Sequence, residues 1–497
     1  MSNNSNRSLD GPNIILSTPA QSRYIHPKRR IWPLVLLLIL IHLSTVLYTL
    51  PLNRVIELRL CQTHYSVPNP EEKACKIDEV QRQLAWTQGI METVLIVCDF
   101  VVTLPFGYVA EQWGVKAVLW CNLVPRIGMS VWAVVVGHFN HILPTQAIIA
   151  GPFLAVLGGE CVLQSTVFTL TSAMASDYVD RAKYFSYISS TSYVVSFLGP
   201  TLASFTMSRN LWAPFCVTIV LLALAIPMIK LLPDNGLGPV RSIMAVEANE
   251  TADEVGPLLR QSEDAPDHYS NAFDTRPSML QRIISTVRKL VALINGRRNF
   301  QILLCSFFLT ALASSDTKLL VQYISKRYDW TFAQAGYMLS AKAIVNFTLL
   351  AILVPRVVKS SASSKAVHGS EARLNYAGAQ ISILASVVGV LCVALAFKFW
   401  MLLAALMIYA LGSALPIFTM SLVKSPLIAL AHSDIQDFSI VMLTKTLGSL
   451  VGAPFMTVLW VRAIEIGGVG LGLPYFVSGV SVSCRAADIM YRADSAI

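Results

Sequence analysis

Eight charged residues stand inside long apolar runs of the sequence: Glu92, Asp99, Arg126, Glu160, Asp316, Lys318, Lys342 and Lys445. A charge in hydrocarbon is costly unless it faces a cavity or an opposite charge, so each marks a candidate proton or substrate path, or a pair. Glu92 and Asp99 are seven residues apart and share one face of a helix. Arg126, near the middle of the next run, can pair with either of them. A carboxylate caught between burial, which favours its neutral form, and a cation, which favours its ionised form, can take up and release a proton in each cycle. Asp99 is the leading candidate for that role, Glu92 is placed to relay protons to it, and Glu160 stands in reserve. The competing reading for each of the eight is a static ion pair or a charge near the membrane surface. No Walker loop, G-x-S-x-G or HExxH is present, so ATP-driven pumping and hydrolysis lack their parts. The chain is not expected to be an enzyme or to hold a cofactor or metal.

The elements that carry these residues follow from composition. Of 497 residues, 54% are hydrophobic and only 13% charged, about half the charged share of a soluble protein. Mean hydropathy is +0.58. Too few charges remain to clothe water-soluble domains, and the chain reads as an all-α polytopic membrane protein. The net charge of +9 is spread out and has no aromatic-interleaved basic patch, so nucleic acid is not an expected partner. It fits basic loops held on the cytoplasmic side.

A span needs roughly 20 mainly apolar residues. Such runs occur at 32–50, 84–109, 115–136, 145–170, 184–207 and 211–232, and again at 300–324, 335–358, 374–397, 399–423, 438–461 and 471–489. The expectation is twelve spans in two six-helix halves, 32–232 and 300–497, with a cytoplasmic tail at 1–31. The last span is the weakest, since Arg485 and Asp488 follow its clean apolar part. With both termini inside, the inner segments hold more than twice the Lys and Arg of the outer loops.

The middle loop, 233–299, is polar and rich in Asp, Glu, Asn, Pro and Ser up to Pro277. Met279, Ile283, Val287, Leu290 and Ile294 then recur at helical spacing among basic residues. They suggest an amphipathic helix on the inner leaflet, or else the start of the seventh span. Within the loop, Glu254 to Leu259 has the form of an acidic dileucine sorting signal. Cys61 and Cys75 share a polar loop expected outside, where either a disulfide or two free thiols can be accommodated. A weak internal repeat sets Gly199-Pro200 in the fifth span against Gly452-Ala453-Pro454 in the eleventh, as positions of close approach and bending.

The turn after the second span reads Gly107-Tyr108-Val109-Ala110-Glu111-Gln112-Trp113-Gly114-Val115-Lys116. It resembles the G-x-x-x-D-R/K-x-G-R/K signature of the major facilitator superfamily. Gly107, Gly114 and Lys116 match, Glu111 replaces the usual Asp, and Gln112 and Val115 depart. After the fourth span, Asp177, Arg181 and Phe185 resemble the family's D-x-x-x-R-x-x-x-F element, with Asp177 and Arg181 spaced to pair on one helical face. The segment from Gln322 to Trp330 with Ala335-Gly336-Tyr337 resembles fungal members. The resemblance implies the superfamily's fold, a monomer in the bilayer, and both motifs acting as a conformational gate. It also implies secondary, proton-coupled transport of a small organic molecule, outward rather than inward, from the plasma membrane or an endomembrane such as the vacuole. Drug/proton antiporters of the family carry an Arg in span four, where this chain offers Glu160. The alternatives are an uptake carrier of a metabolite or vitamin, or a membrane receptor or enzyme, against which the six-plus-six order speaks.

Overall fold

The structure is a computed structural model that describes residues 31–68, 70–139, 142–174, 178–232, 298–348, 370–412, 415, 434–481 and 483. Within its helices, the side chains of several residues, Glu111 and Arg181 among them, lie outside what it describes. Residues 233–297 of the middle loop, with the expected amphipathic and dileucine segments, lie outside the described residues, as does Asp177.

Among the described residues, eight helices are long and apolar enough to cross a membrane. In the first half, α1 (Trp32–Tyr65) starts behind Pro33 at its second position, where a missing N–H costs nothing. Its 34 residues make about 51 Å at 1.5 Å each, well beyond a ~30 Å hydrocarbon core, so its C-terminal turns stand clear of the membrane. A disulfide joins Cys61 in those turns to Cys75 in a 3-10 turn, Glu72–Lys76. The next two spans form one run, α2 (Asp78–His138), broken only at Gly114. There φ is +82°, a region that a side chain disfavours, so glycine lets the chain reverse between spans.

The fourth span departs from a single helix. It begins as a 3-10 segment, Thr145–Leu157, breaks at Gly158-Gly159 and resumes as α3 (Glu160–Met174). Pro152 within it and two glycines at the break explain why regular α-helix does not run through. Then come α4 (Tyr178–Arg209) and α5 (Ala213–Leu231).

The second half holds α6 (Arg298–Ser314), α7 (Asp316–Arg327), α8 (Phe332–Thr348), α9 (Ser370–Leu395), α10 (Phe399–Leu411) and α11 (Asp434–Ile466). The seventh span is thus two helices meeting at Ser315. Of the twelfth span, Gly468–Ser481 is apolar and continues α11 through a 3-10 turn. The halves meet along two helix pairs, α2 against α11 and α4 against α8. One apolar cluster crosses this seam, joining Leu50, Met91 and Ala203 to Leu320, Ile324, Phe332 and Trp460. A second, with Leu34, Ile41, Leu119, Leu163 and Leu222, belongs to the first half alone. The shared cluster lies toward the end that carries Cys61, Arg327 and Phe332, so there the halves are closed on each other.

Candidate functional site

The break at Gly158-Gly159 builds the polar centre of the first half. Asn122 of α2 donates to the carbonyls of Gly158 and Gly159 at 3.1 and 2.8 Å, the second of which also accepts the Leu163 N–H at 3.1 Å. The freed start of α3 turns its N–H groups toward α2, and Asp99 Oδ1 accepts the Cys161 N–H at 3.0 Å. A Cβ on Gly159 would collide with the Asp99 carboxylate, so the missing side chain makes room for this cap. Negative charge near a helix N-terminus is favoured by the exposed N–H dipoles.

Glu160, the first residue of α3, points the other way. Arg126 of α2 donates to its Oε2 at 2.6 Å, to Asn122 Oδ1 at 2.9 Å and to Thr45 Oγ1 of α1 at 2.8 Å. His42 of α1 lies 3.6 Å from the other Glu160 oxygen, which also accepts from Gln164. The sequence leaves Arg126 free to pair with Asp99 or Glu92; it pairs with neither. The kink at Gly158-Gly159 swings Glu160 into reach and occupies Asp99 with a backbone donor. Asp99 forms no ion pair among the described residues. His42, Thr45 and Asn122 join the site although none of them is among the eight intramembrane charges. Their signal was there: each is a polar side chain inside an apolar run, and Asn122 sits one turn before Arg126.

Glu92 instead faces across the seam, where Lys318 of α7 pairs with it. The two line a small cavity between the halves with Gln88, Ser314, Ser449 and Thr457. Nearby, Gln322 of α7 donates to Gln88 Oε1 at 2.7 Å.

In the second half Asp316 is fully buried. Its Oδ1 accepts from Tyr409 Oη at 3.1 Å, and its Oδ2 has no partner among the described residues. Lys342 lies 4.4 Å from the centre of the Tyr409 ring and shares with it a cavity of about 280 Å³ lined also by Asn346, Ser386 and Ser478. Lys445, on α11, has no hydrogen bond or ion pair among the described residues, but its neighbour Thr446 touches Cys161 at 3.4 Å across the seam. The structure therefore groups the eight intramembrane charges into a first-half centre, a seam pair and a second-half pocket, with Lys445 opposite the first.

Of the residues expected to form a gate, Gly107 lies within the helical part of α2 and Gly114 forms its break, while Lys116 reaches the Lys230 carbonyl at 3.4 Å. Gly199 and Pro200 fall inside α4, and Gly452 and Pro454 inside α11. A Cβ on Gly452 would strike the backbone of Leu312, so α11 packs closely on α6 there.

Paired bundles of membrane-spanning helices, with opposed charges meeting inside the bilayer and at the seam, define a transporter class. The chain belongs to the major facilitator superfamily, whose model matches residues 80–453. It is of the fungal type. An MFS efflux pump, atnC, of Emericella nidulans is 24% identical over 438 residues, covering 86% of this chain and 80% of that protein. The MFS-type transporter avaK of Aspergillus versicolor is 26% identical, with coverages of 72% and 74%. Among solved structures, a D-xylose-proton symporter superposes with a TM-score of 0.61 at 13% identity, covering 92% of this chain and 97% of that one. The human organic anion transporter MFSD10 gives 0.57 at 15%, covering 93% and 99%. At such identities these structures speak for the fold.

Proposed function

We propose that the chain is a proton-coupled exporter of a small organic molecule, working as a monomer in the plasma membrane with both termini in the cytoplasm. Relatives named as efflux pumps support the direction. The observation that carries the coupling is the state of Asp99. Glu92 and Glu160 are each matched to a cation, whereas Asp99, held by the Cys161 N–H, has no cation paired with it among the described residues. It can therefore gain a proton without stranding a partner charge, which makes it the carboxylate most readily alternated between two states. Arg126 and Glu160 then form the fixed frame, and Lys445 faces the same region from the second half.

In this reading Gly107, Glu111, Gly114 and Lys116, with Asp177 and Arg181, act as the cytoplasmic gate. The break at Gly114 is the joint about which the first two transmembrane segments of α2 re-aim. The end carrying Cys61 and Phe332 faces outside, so the structure corresponds to a carrier closed to the exterior. The reading is tested by loading cells with a fluorescent drug panel and following export with and without an uncoupler. Export of at least one compound that collapses on uncoupling is expected, and export indifferent to the uncoupler would overturn proton coupling.

A further inference from the structure

At the end of the bundle beyond the first span, a set of charges sits where a loop would ordinarily leave them in water. Glu57 is fully buried and Lys76 nearly so. Lys76 Nζ lies 2.6 Å from Glu57 Oε1 and donates to Ser325 Oγ of α7 at 2.7 Å, while resting 4.3 Å from the centre of the Phe332 ring. Gln81 adds a second donor to the same Glu57 oxygen at 2.7 Å, and Arg54 reaches the other at 2.8 Å. Glu72, which Arg54 also meets at 3.3 Å, accepts the Phe332 N–H at 2.9 Å and so caps α8 from the opposite half. Lys326 of α7 closes the ring, pairing with Asp78 at 2.6 Å and donating to the Lys76 carbonyl.

The disulfide lies parallel to this network. Glu57 and Cys61 are one turn apart on α1, and Cys75 and Lys76 are adjacent on the 3-10 turn. The covalent tie and the ion pair thus fasten the same turn to the same face of α1. Among the described residues, every bond from that turn to the second half leaves from Glu72, from Lys76 or from Asp78 just beyond.

We propose that the turn Glu72–Lys76, stapled to α1 by Cys61–Cys75, is the extracellular latch of the carrier, with Lys76 its pin. Opening outward pulls Lys76 from Ser325 and Phe332 and Glu72 from the α8 N-terminus, while Glu57 stays behind with its first-half donors. The staple keeps the turn on the first half, so that the latch parts at one surface and re-forms in the same register. The proposal rests on the reading of the chain as an alternating carrier with this end outside. It requires neither proton coupling nor knowledge of the substrate.

The test reads outward opening directly. Ser449 lines the seam cavity beneath the latch. A Ser449→Cys reporter is placed in the full chain, in a background where every cysteine except Cys61 and Cys75 is serine, and labelled on intact cells with an impermeant maleimide. Lys76→Gln, and separately Cys61→Ala with Cys75→Ala, should raise the labelling rate about tenfold, within the range of a typical conformational coupling. Ser325→Ala, which leaves the first half intact, should raise it less, and Lys73→Gln, an exposed neighbour on the same turn, should leave it unchanged. Background labelling rates in Lys76→Gln, the double alanine variant and Ser325→Ala would overturn the latch. So would an equal rise in Lys73→Gln, which would trace the effect to surface charge. Ser325→Ala keeps the test decisive if a variant altering the buried charge fails to fold. Because labelling needs no gradient, loss of this result and loss of proton coupling remain separate outcomes.

Discussion

Asp99 and Cys161 stand on different helices, yet the Asp99 carboxylate closes the first turn of α3 by accepting the Cys161 N–H at 3.0 Å. The contact gives Asp99 a structural duty that does not require its charge. An asparagine at this position keeps an oxygen for the same N–H, whereas alanine leaves the helix end open. Losing a helix cap costs about 1 kcal/mol. The purified Asp99→Ala protein should therefore melt about 1 °C below Asp99→Asn in the same detergent. Equal melting temperatures would mean that the cap contributes nothing.

Arg126 and Glu160 should behave as a unit. Removing either alone leaves the other without its partner charge, at a cost below that of a fully buried pair because Glu160 is partly exposed. Arg126→Met and Glu160→Gln are each expected to lower thermal stability, and the double variant to lose less than the two together. A double-mutant cycle on melting measures this directly, and strict additivity would show that the pair is not coupled.

Gly114 occupies φ +82° with nothing within 4 Å of where a Cβ would stand. The strain of a side chain there, about 1–2 kcal/mol, therefore acts on the backbone and not on a neighbour. Gly114→Leu should slow transport several-fold while purified protein still binds substrate. Lost binding in a well-folded variant would place this turn at the substrate and not at the joint.

Orientation is open to an equally plain check. An impermeant label on intact cells should reach an epitope or cysteine tag inserted at 66–70 and none inserted at 240–270. Labelling of the middle loop would invert the topology and, with it, the assignment of the latch to the exterior.

The spans were legible because run length and apolarity are local properties, and a helix in lipid satisfies its own backbone. The turn at Gly114 was legible for a similar reason, since glycines at fixed spacing speak through few residues. Pairing was not. Arg126 had two carboxylates within plausible reach on the adjacent span, and its true partner depends on a helix break at Gly158-Gly159 that reorients two carboxylates at once. The latch escaped for the opposite reason. Glu57, Glu72 and Lys76 lie beyond the apolar runs and resemble ordinary loop charges until α1 is seen to continue past the membrane and carry them against α7 and α8. The cysteine pair, one in α1 and one within the turn, was the one sequence signal for it.

The central claim is that a proton on Asp99 drives export. The most direct measurement uses the Asp99→Asn protein in sealed vesicles, comparing uphill transport under an imposed pH gradient with exchange of labelled substrate at equal pH on both sides. Asparagine preserves the cap on α3 and mimics the permanently protonated state. The account predicts that gradient-driven accumulation falls to the level of vesicles without the carrier, while exchange persists near the wild-type rate. Wild-type accumulation in Asp99→Asn would contradict it.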